Sequence, residues 1–432
     1  MACYLNLFKQ KMIDQGMDNF VIDLFSTYYK SLKKGEKGLI YKDEISAVEK
    51  AQVINYKELK NNSNEHLRKF AIIKLNGGLG TSMGLKKAKS LIKVKGSMSF
   101  LDIIVMQILK TREKSKIDIP IIFMNSFNTQ KDTLESLKKY ENLKVDNLPL
   151  DFLQNRFPKI KTSDLSPFTS SDDSLTWNPP GHGEIYITLS SSGILDKLLK
   201  KKIEYVFISN SDNLGAEYDP NILNYFASSK LDFLMEVCKR TSMDKKGGHL
   251  AQSKKSGLVL REIAQTPQDE YEEFADINLY KYFNTNNIWI NLISLKKRLL
   301  VDPYFKLPLI VNKKRVDSTD IIQLETAMGA AISSFKKSKI VVVSRDRFVP
   351  VKKTNDLLSL WSDIYRLTQD YKIKRVPKIL PKVELNADFY GTIKQLQQRV
   401  KITPSLKGCS SFTINSDYTF SKKEVFSKDI IL

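Results

Sequence analysis

Cysteine and histidine are scarce in this chain of 432 residues, with three of each. Cys3, Cys238 and Cys409 show neither CxxC spacing nor an even framework, which argues against a disulfide scaffold and a structural zinc site and points to thiols kept reduced in a cytosol. Cys238 follows the mostly apolar run 231–237 and reads as core filler rather than a reactive thiol. Long hydrophobic runs are missing too: none approaches the roughly 18 uncharged apolar residues that span a bilayer. The opening Met1-Ala2-Cys3-Tyr4 lacks the basic-then-apolar layout of a signal peptide. A cytoplasmic protein with no membrane partner is expected. No tandem repeat and no long low-complexity segment is present.

Positive charge, by contrast, is in excess, at a formal +21. It is scattered in twos and threes, as in Lys200-Lys201-Lys202 and Lys313-Lys314-Arg315, with no arginine-rich tail and no zinc finger. Nucleic acid is therefore not the expected partner, but a basic field favours anionic substrates such as nucleoside triphosphates and sugar phosphates. An apolar fraction of 42% over this length implies a sizeable core and more than one domain.

The organisation reads in three parts. Residues 1–66 are polar and helical in pattern, with Phe20, Leu24 and Tyr28 four apart. From 67 to 360, apolar strands (71–75, 119–124, 205–209, 231–237, 258–264, 288–295, 340–343) alternate with amphipathic helices. One helix starts at the capping-box pattern Ser99-Phe100-Leu101-Asp102. Such alternation predicts an α/β fold, a mostly parallel, doubly wound sheet with ligands beyond the carboxyl ends of its strands. Residues 361–432 follow a helix-like stretch, 356–371, with a proline-punctuated tail whose 411–420 stretch alternates as short strands do.

Four segments carry chemistry. The run Lys74-Leu75-Asn76-Gly77-Gly78-Leu79-Gly80-Thr81-Ser82-Met83-Gly84, followed by Lys89-Ser90, sets a glycine turn after β-branched residues and a lysine beyond it, a cradle for a base, ribose or phosphates. It fits neither G-x-G-x-x-G nor a P-loop; the alternative is a tight turn that needs positive φ. In Pro179-Pro180-Gly181-His182-Gly183-Glu184 a histidine sits on a slim, rigid loop where it can reach a ligand hydroxyl or phosphate, or merely cap a helix. Past the strand 205–209, Asn210-Ser211-Asp212-Asn213 places Asp212 where a hard oxygen ligand could hold Mg²⁺, or where an Asx turn forms. Lys246-Gly247-Gly248, Phe283-Asn284-Thr285-Asn286-Asn287 and Arg347 to Lys352 supply amides suited to sugar hydroxyls and a further lysine. Each asparagine turn could equally be structural, and Lys352 a snorkelling surface lysine.

Together these segments resemble the eukaryotic-type UTP:glucose-1-phosphate uridylyltransferases, also called UDP-glucose pyrophosphorylases. The match runs in the family's order through Leu75 to Gly84 with Lys89-Ser90, Phe152-Leu153-Gln154-Asn155 with Pro158, Pro179 to Glu184, Ser209 to Ala216, Lys246 to Gly248, Glu262 to Gln265, Phe283 to Trp289, Gln323 to Ala327 and Arg347 to Lys352. The resemblance implies a glycosyltransferase-A-like core with an N-terminal helical segment and a C-terminal left-handed β-helix. It implies that the Leu75, Asn76, Gly77 and Gly78 backbone and Gln154 recognise uracil, and that Lys89 binds the UTP phosphates. It further implies that Gly181, His182, Asn210, Ser211, Gly248, Glu262, Phe283, Asn284 and Asn286 line the substrate site, with most of them on the glucose 1-phosphate side. Asp212 would hold Mg²⁺ and Lys352 would bridge the reacting phosphates. Lys87-Ala88 stands where the family commonly has Gly-Pro, which questions the ordering of that loop. The chain ends soon after Thr413 to Asp417, where many relatives continue, so a monomer is expected. Competing expectations are a broad-specificity UDP-sugar or UDP-N-acetylhexosamine pyrophosphorylase and a catalytically silent, basic nucleotide- or RNA-binding protein on the same fold.

Overall fold

The structure, a computed structural model, describes residues 4–432; Cys3 lies outside the described residues. Cys238 and Cys409 are both buried thiols. The described residues form two compact units. Unit 1 comprises the described residues up to 70, with 152–208 and 220–343, and unit 2 residues 71–151, 209–219 and 344–432.

Unit 1 opens with two helices, Leu5–Asp14 and Asn19–Lys33. The second starts where the Asp18 carboxylate accepts the Phe20 N–H at 2.7 Å, the usual satisfaction of an orphan helix donor. Phe8 seals the pair, with its ring 5.1 Å from Phe25 and 4.9 Å from Tyr29. The expectation of helix throughout 1–66 stops at Lys33. Beyond it the β-branched Val53 and Ile54 form a short strand, Val53–Asn55, parallel to Ser338–Val342.

That strand edges the unit's spine, which runs Val53–Asn55, Ser338–Val342, Phe233–Lys239, Tyr282–Asn291 and Tyr205–Asn210. Tyr282–Asn291 runs antiparallel to both its neighbours, while the other strands share one direction, so the sheet is mixed and mostly parallel, as expected. The strand expected over 288–295 ends at Asn291. There the side-chain carbonyl accepts the N–H groups of Ile293 and Ser294 at 2.9 and 3.1 Å and starts the helix Leu292–Val301. Likewise, 258–264 divides into the strand Gly257–Arg261 and a 3₁₀ turn, Ile263–Gln265. The core includes Trp289, 4.6 Å from Phe207, and its indole N–H donates at 2.9 Å to the fully buried Glu236. A buried carboxylate of this kind persists because it is hydrogen-bonded.

In unit 2 the strand Phe70–Asn76, part of the unit from Ala71 on, pairs in parallel with Ile121–Asn125, and Asp151–Leu153 lies next. Helix Phe100–Ser115 has the expected capping box, in which Ser99 Oγ accepts the Asp102 N–H at 3.1 Å and Asp102 accepts the Ser99 N–H at 2.8 Å. The helix expected over 356–371 is only Thr354–Trp361; Ser362 is already extended, and Lys95 Nζ donates to its carbonyl at 2.7 Å. The chain closes with three parallel strands, Lys382–Leu385, Ser405–Ile414 and Val425–Ile431. No helix among the described residues is long and apolar enough to cross a membrane. Replacing Ser99 by alanine should cost about 1 kcal/mol, the usual worth of such a cap; urea unfolding of both proteins measures it.

Candidate active site

In unit 2 the strand Phe70–Asn76 delivers the glycine loop. Gly84 has a left-handed φ of 75°, but Gly80 has φ −80°, and Gly78 does not adopt that conformation either. A Cβ at Gly78 would meet nothing within 4 Å, and the residue is exposed. Turn geometry therefore explains Gly84 and not Gly78, which leaves bare backbone open to close approach. At Lys87-Ala88 the loop closes on itself: Ala88 is fully buried and bridges Leu79, and the Lys89 N–H donates to the Gly78 carbonyl at 3.1 Å.

Lys89 Nζ reaches Asp212 Oδ2 at 2.5 Å, with both side chains mostly covered. The other oxygen, Asp212 Oδ1, is buried and has no hydrogen-bond partner. The side chains of Asn76 and Ser211 serve each other, which leaves the Asn76 role expected from its backbone untouched. Asn76 donates to Asn125 at 2.8 Å and Thr133 at 2.9 Å, and accepts from Ser211 Oγ at 2.9 Å. The Ser211 N–H also donates to the Leu75 carbonyl at 3.0 Å. Asn210 is half-buried at the start of this segment. Lys352 is exposed; its backbone N–H and that of Lys353 donate to one Asp356 oxygen at 2.7 and 2.9 Å, capping helix Thr354–Trp361.

Sequence reasoning passed over Lys74. This buried lysine donates to Ser209 Oγ at 2.8 Å and to the Ala216 carbonyl at 2.6 Å, tying both ends of the Asp212 segment. The available signal was a lysine inside a β-branched run.

Unit 1 holds the remaining residues. Gly181, at φ 81°, lies so close to Thr326 that a Cβ would be 2.3 Å from its carbonyl oxygen. Gly183 donates to that oxygen at 2.9 Å, so the histidine loop is zipped to the segment after strand Thr319–Glu325. His182 Nδ1 accepts the Met328 N–H at 2.8 Å, which puts the ring proton on Nε2. Burial pushes its pKa down to about 4, so the ring offers a neutral N–H donor rather than a cation. His249 is instead fully buried and stacked on Tyr280, with ring centroids 3.9 Å apart.

Gln154 donates to the Gly181 carbonyl at 3.0 Å. Its neighbour Asn155 donates to the buried Glu184 through Nδ2 at 2.6 Å and through its backbone N–H at 3.2 Å. Burial outweighs these donors and raises the Glu184 pKa to about 8. Gly248 makes room for Glu262, since a Cβ there would lie 2.5 Å from the carboxyl carbon and both oxygens. A Cβ at Gly247 would strike the Phe283 ring at 2.0 Å. Asn284 and Asn286 interlock through two 2.9 Å hydrogen bonds where the pairing with Phe233–Lys239 slips, and Asn286 takes a left-handed φ of 56°. Bulged, left-handed asparagines of this kind concentrate at ligand sites.

The glycine loop and lysine–carboxylate pair of unit 2 and the clustered amides of unit 1 are those of a nucleotidyltransferase, as the family match shows. The family model for UTP–glucose-1-phosphate uridylyltransferase matches residues 17–427, and the chain belongs to that family. It is 40% identical over 389 residues to the UTP–glucose-1-phosphate uridylyltransferase of Encephalitozoon cuniculi, covering 89% of this chain and 77% of the relative. Among solved structures, the open and closed forms of UDP-glucose pyrophosphorylase from Leishmania major align at TM-score 0.91 and 36% identity over 100% of this chain and 95% of that one. A mutant of the Leishmania major enzyme in complex with UDP-glucose aligns at TM-score 0.90 and 35% identity, over 100% of this chain and 95% of that one.

The Glu184 shift has a testable sign. A carboxyl raised in the folded state supports stability below its unfolded pKa and loses that support as pH climbs to about 8. Glu184→Gln should therefore gain on the parent protein steadily between pH 5 and pH 8, as read by urea unfolding at each pH.

Proposed function

We infer that the protein catalyses reversible uridylyl transfer from UTP to glucose 1-phosphate, giving UDP-glucose and pyrophosphate. A phosphate oxygen of glucose 1-phosphate attacks the α-phosphorus in line; the bond to the β-phosphate oxygen breaks and pyrophosphate leaves with that electron pair. The observation that carries the reading is the Lys89–Asp212 pair beside the open Gly78 backbone, in a chain whose family match spans both. Such chemistry asks a protein for positioning and charge neutralisation rather than a nucleophile.

The backbone from Leu75 to Gly78 and the Gln154 amide take the uracil, and Lys89 the UTP phosphates. His182 donates Nε2–H to the sugar phosphate, and Asn210, Gly248, Glu262, Phe283, Asn284 and Asn286 shape the sugar side. Lys352, which has no ion-pair partner among the described residues, spans the two reacting phosphates. The unpartnered Asp212 Oδ1 fits a Mg²⁺ ligand. No cluster of three acidic, histidine or cysteine side chains suited to a metal exists among the described residues, so the other ligands would be phosphate and water oxygens. When bound, Mg²⁺ neutralises phosphate charge. In finer architecture, the core is glycosyltransferase-A-like and the three parallel C-terminal strands are turns of a left-handed β-helix. The buried thiols fit a reducing cytoplasm.

Pyrophosphate release with Mg²⁺ should require UTP and glucose 1-phosphate together, and should fail with ATP, CTP or GTP. Release with another sugar phosphate but not glucose 1-phosphate would overturn the substrate assignment. Lys352→Ala should lower turnover at least about a hundredfold, the scale of a lost preorganised transition-state contact; near-normal turnover in the folded variant removes that role. Gln154→Ala should mainly erode the preference for UTP over the other triphosphates, read from the kcat/KM ratios.

A further inference from the structure

The segment after strand Tyr205–Asn210 and the segment before helix Thr354–Trp361 are joined by Arg347, which donates to the Glu217 carbonyl at 2.9 Å, and, nearer to Asp212 and Lys352, by Asn213, which belongs to neither of the charges proposed to act on the phosphates. Asn213 is buried, and its amide spends both ends across the junction. Oδ1 accepts the Val349 N–H at 2.9 Å and the Gly215 N–H at 3.2 Å, and Nδ2 donates to the Arg347 carbonyl at 3.1 Å. The backbone follows suit: Asn213 forms a bridge with Pro350, and the Val351 N–H donates to the Asp212 carbonyl at 3.3 Å. Gly215 allows the approach, since a Cβ there would be 2.3 Å from the Asp346 carbonyl oxygen.

The residue before this junction on one strand of chain is Asp212, and the residue after it on the other is Lys352. Asp212 is one peptide link from Asn213; Lys352 is one link from Val351, whose N–H is held by the Asp212 carbonyl, and three from Val349, whose N–H is held by the Asn213 amide, so the clamp restrains both charges through short stretches of backbone. Proline 350 adds stiffness, because its φ is fixed and its nitrogen offers no donor to compete for the asparagine. A buried amide satisfied at both ends is costly to remove and specifies one register.

We propose that Asn213 is a positioning residue for the uridylyl transfer, fixing the placement of Lys352 relative to Asp212 by stapling their two segments together. The inference rests on the roles proposed above for those two residues. An asparagine that only stabilises the fold would lower stability and leave turnover of the folded fraction alone; one that sets the register of two charges lowers turnover through Lys352.

The test is a double-mutant cycle on the full chain, with folding checked by thermal melting and kinetics measured on pyrophosphate release. Asn213→Ala should lower kcat at least about tenfold while the KM for UTP moves less than about threefold, the pattern of a contact felt in the transition state. Asn213→Asp keeps the acceptor for the Val349 and Gly215 N–H groups and loses the donor to Arg347; it should fall between the two and serves if the alanine variant does not fold. In a Lys352→Ala background, either Asn213 substitution should cost less than about twofold further, since coupled residues are non-additive. Full additivity, or a fall in stability with kcat unchanged, overturns the proposal. If Lys352→Ala itself leaves turnover normal, the proposed role of Lys352 falls, which is a separate result from losing the Asn213 effect while Lys352 remains essential.

Discussion

A lysine and an aspartate holding each other's charge at 2.5 Å form the interaction on which the rest of this site depends. Neither Lys89 nor Asp212 is fully exposed, so each would be costly to leave unpaired, and the pair lets a strongly charged surface fold without its substrate. Yet the pairing is incomplete. Asp212 keeps one buried oxygen without a partner, and the nearby Gly78 keeps its backbone open, so binding capacity is left over for an anion and the cation that accompanies it. On the proposed reaction, Lys89 would pair with the triphosphate, and Asp212 would hold the Mg²⁺ that accompanies it and neutralises its charge.

Around that pair the protein divides its polar groups into those spent on shape and those held for ligand. Lys74, Asn76, Ser211 and Asn213 are spent, each buried and hydrogen-bonded to the segments that carry Asp212 and Lys352. In unit 1, Glu184 and Thr326 do the same for the histidine loop, and His182 is held so that its remaining ring proton points away from the Met328 amide. The asparagines at 284 and 286 restrain each other in a bulge, with a left-handed backbone that only a few residue types tolerate. Preorganisation of this kind suits phosphoryl chemistry, where the work is holding two anions in line.

Much of this was legible in the sequence because the signals are local. A β-branched run before glycines gives a strand and its loop, Ser99 and Asp102 give a helix start, and Asn210 closes a strand that Ser211 and Asp212 follow. What stayed hidden depends on long-range contact. The bond from Val349 to Asn213 joins residues 136 positions apart, and the Lys74 contact with Ser209 joins residues 135 apart. No periodicity announces either. The short strand Val53–Asn55 was likewise hidden in a polar, helix-like segment, since its identity comes from the edge of the sheet it completes. The helix expected over 356–371 ends at Trp361, and the next carbonyl, that of Ser362, accepts from Lys95 of a distant hairpin, a contact no local pattern announces.

The account turns on whether the Lys89–Asp212 pair is the receptor for a metal-bound triphosphate. Calorimetric titration of UTP, with and without Mg²⁺, into the protein and into Asp212→Asn addresses it directly. Mg²⁺ should tighten UTP binding by about tenfold or more in the parent and by less than about twofold in the variant, as expected when the carboxylate is the protein's ligand to the ion. Equal tightening in both proteins would contradict the account and place the metal, and with it the reacting phosphates, elsewhere.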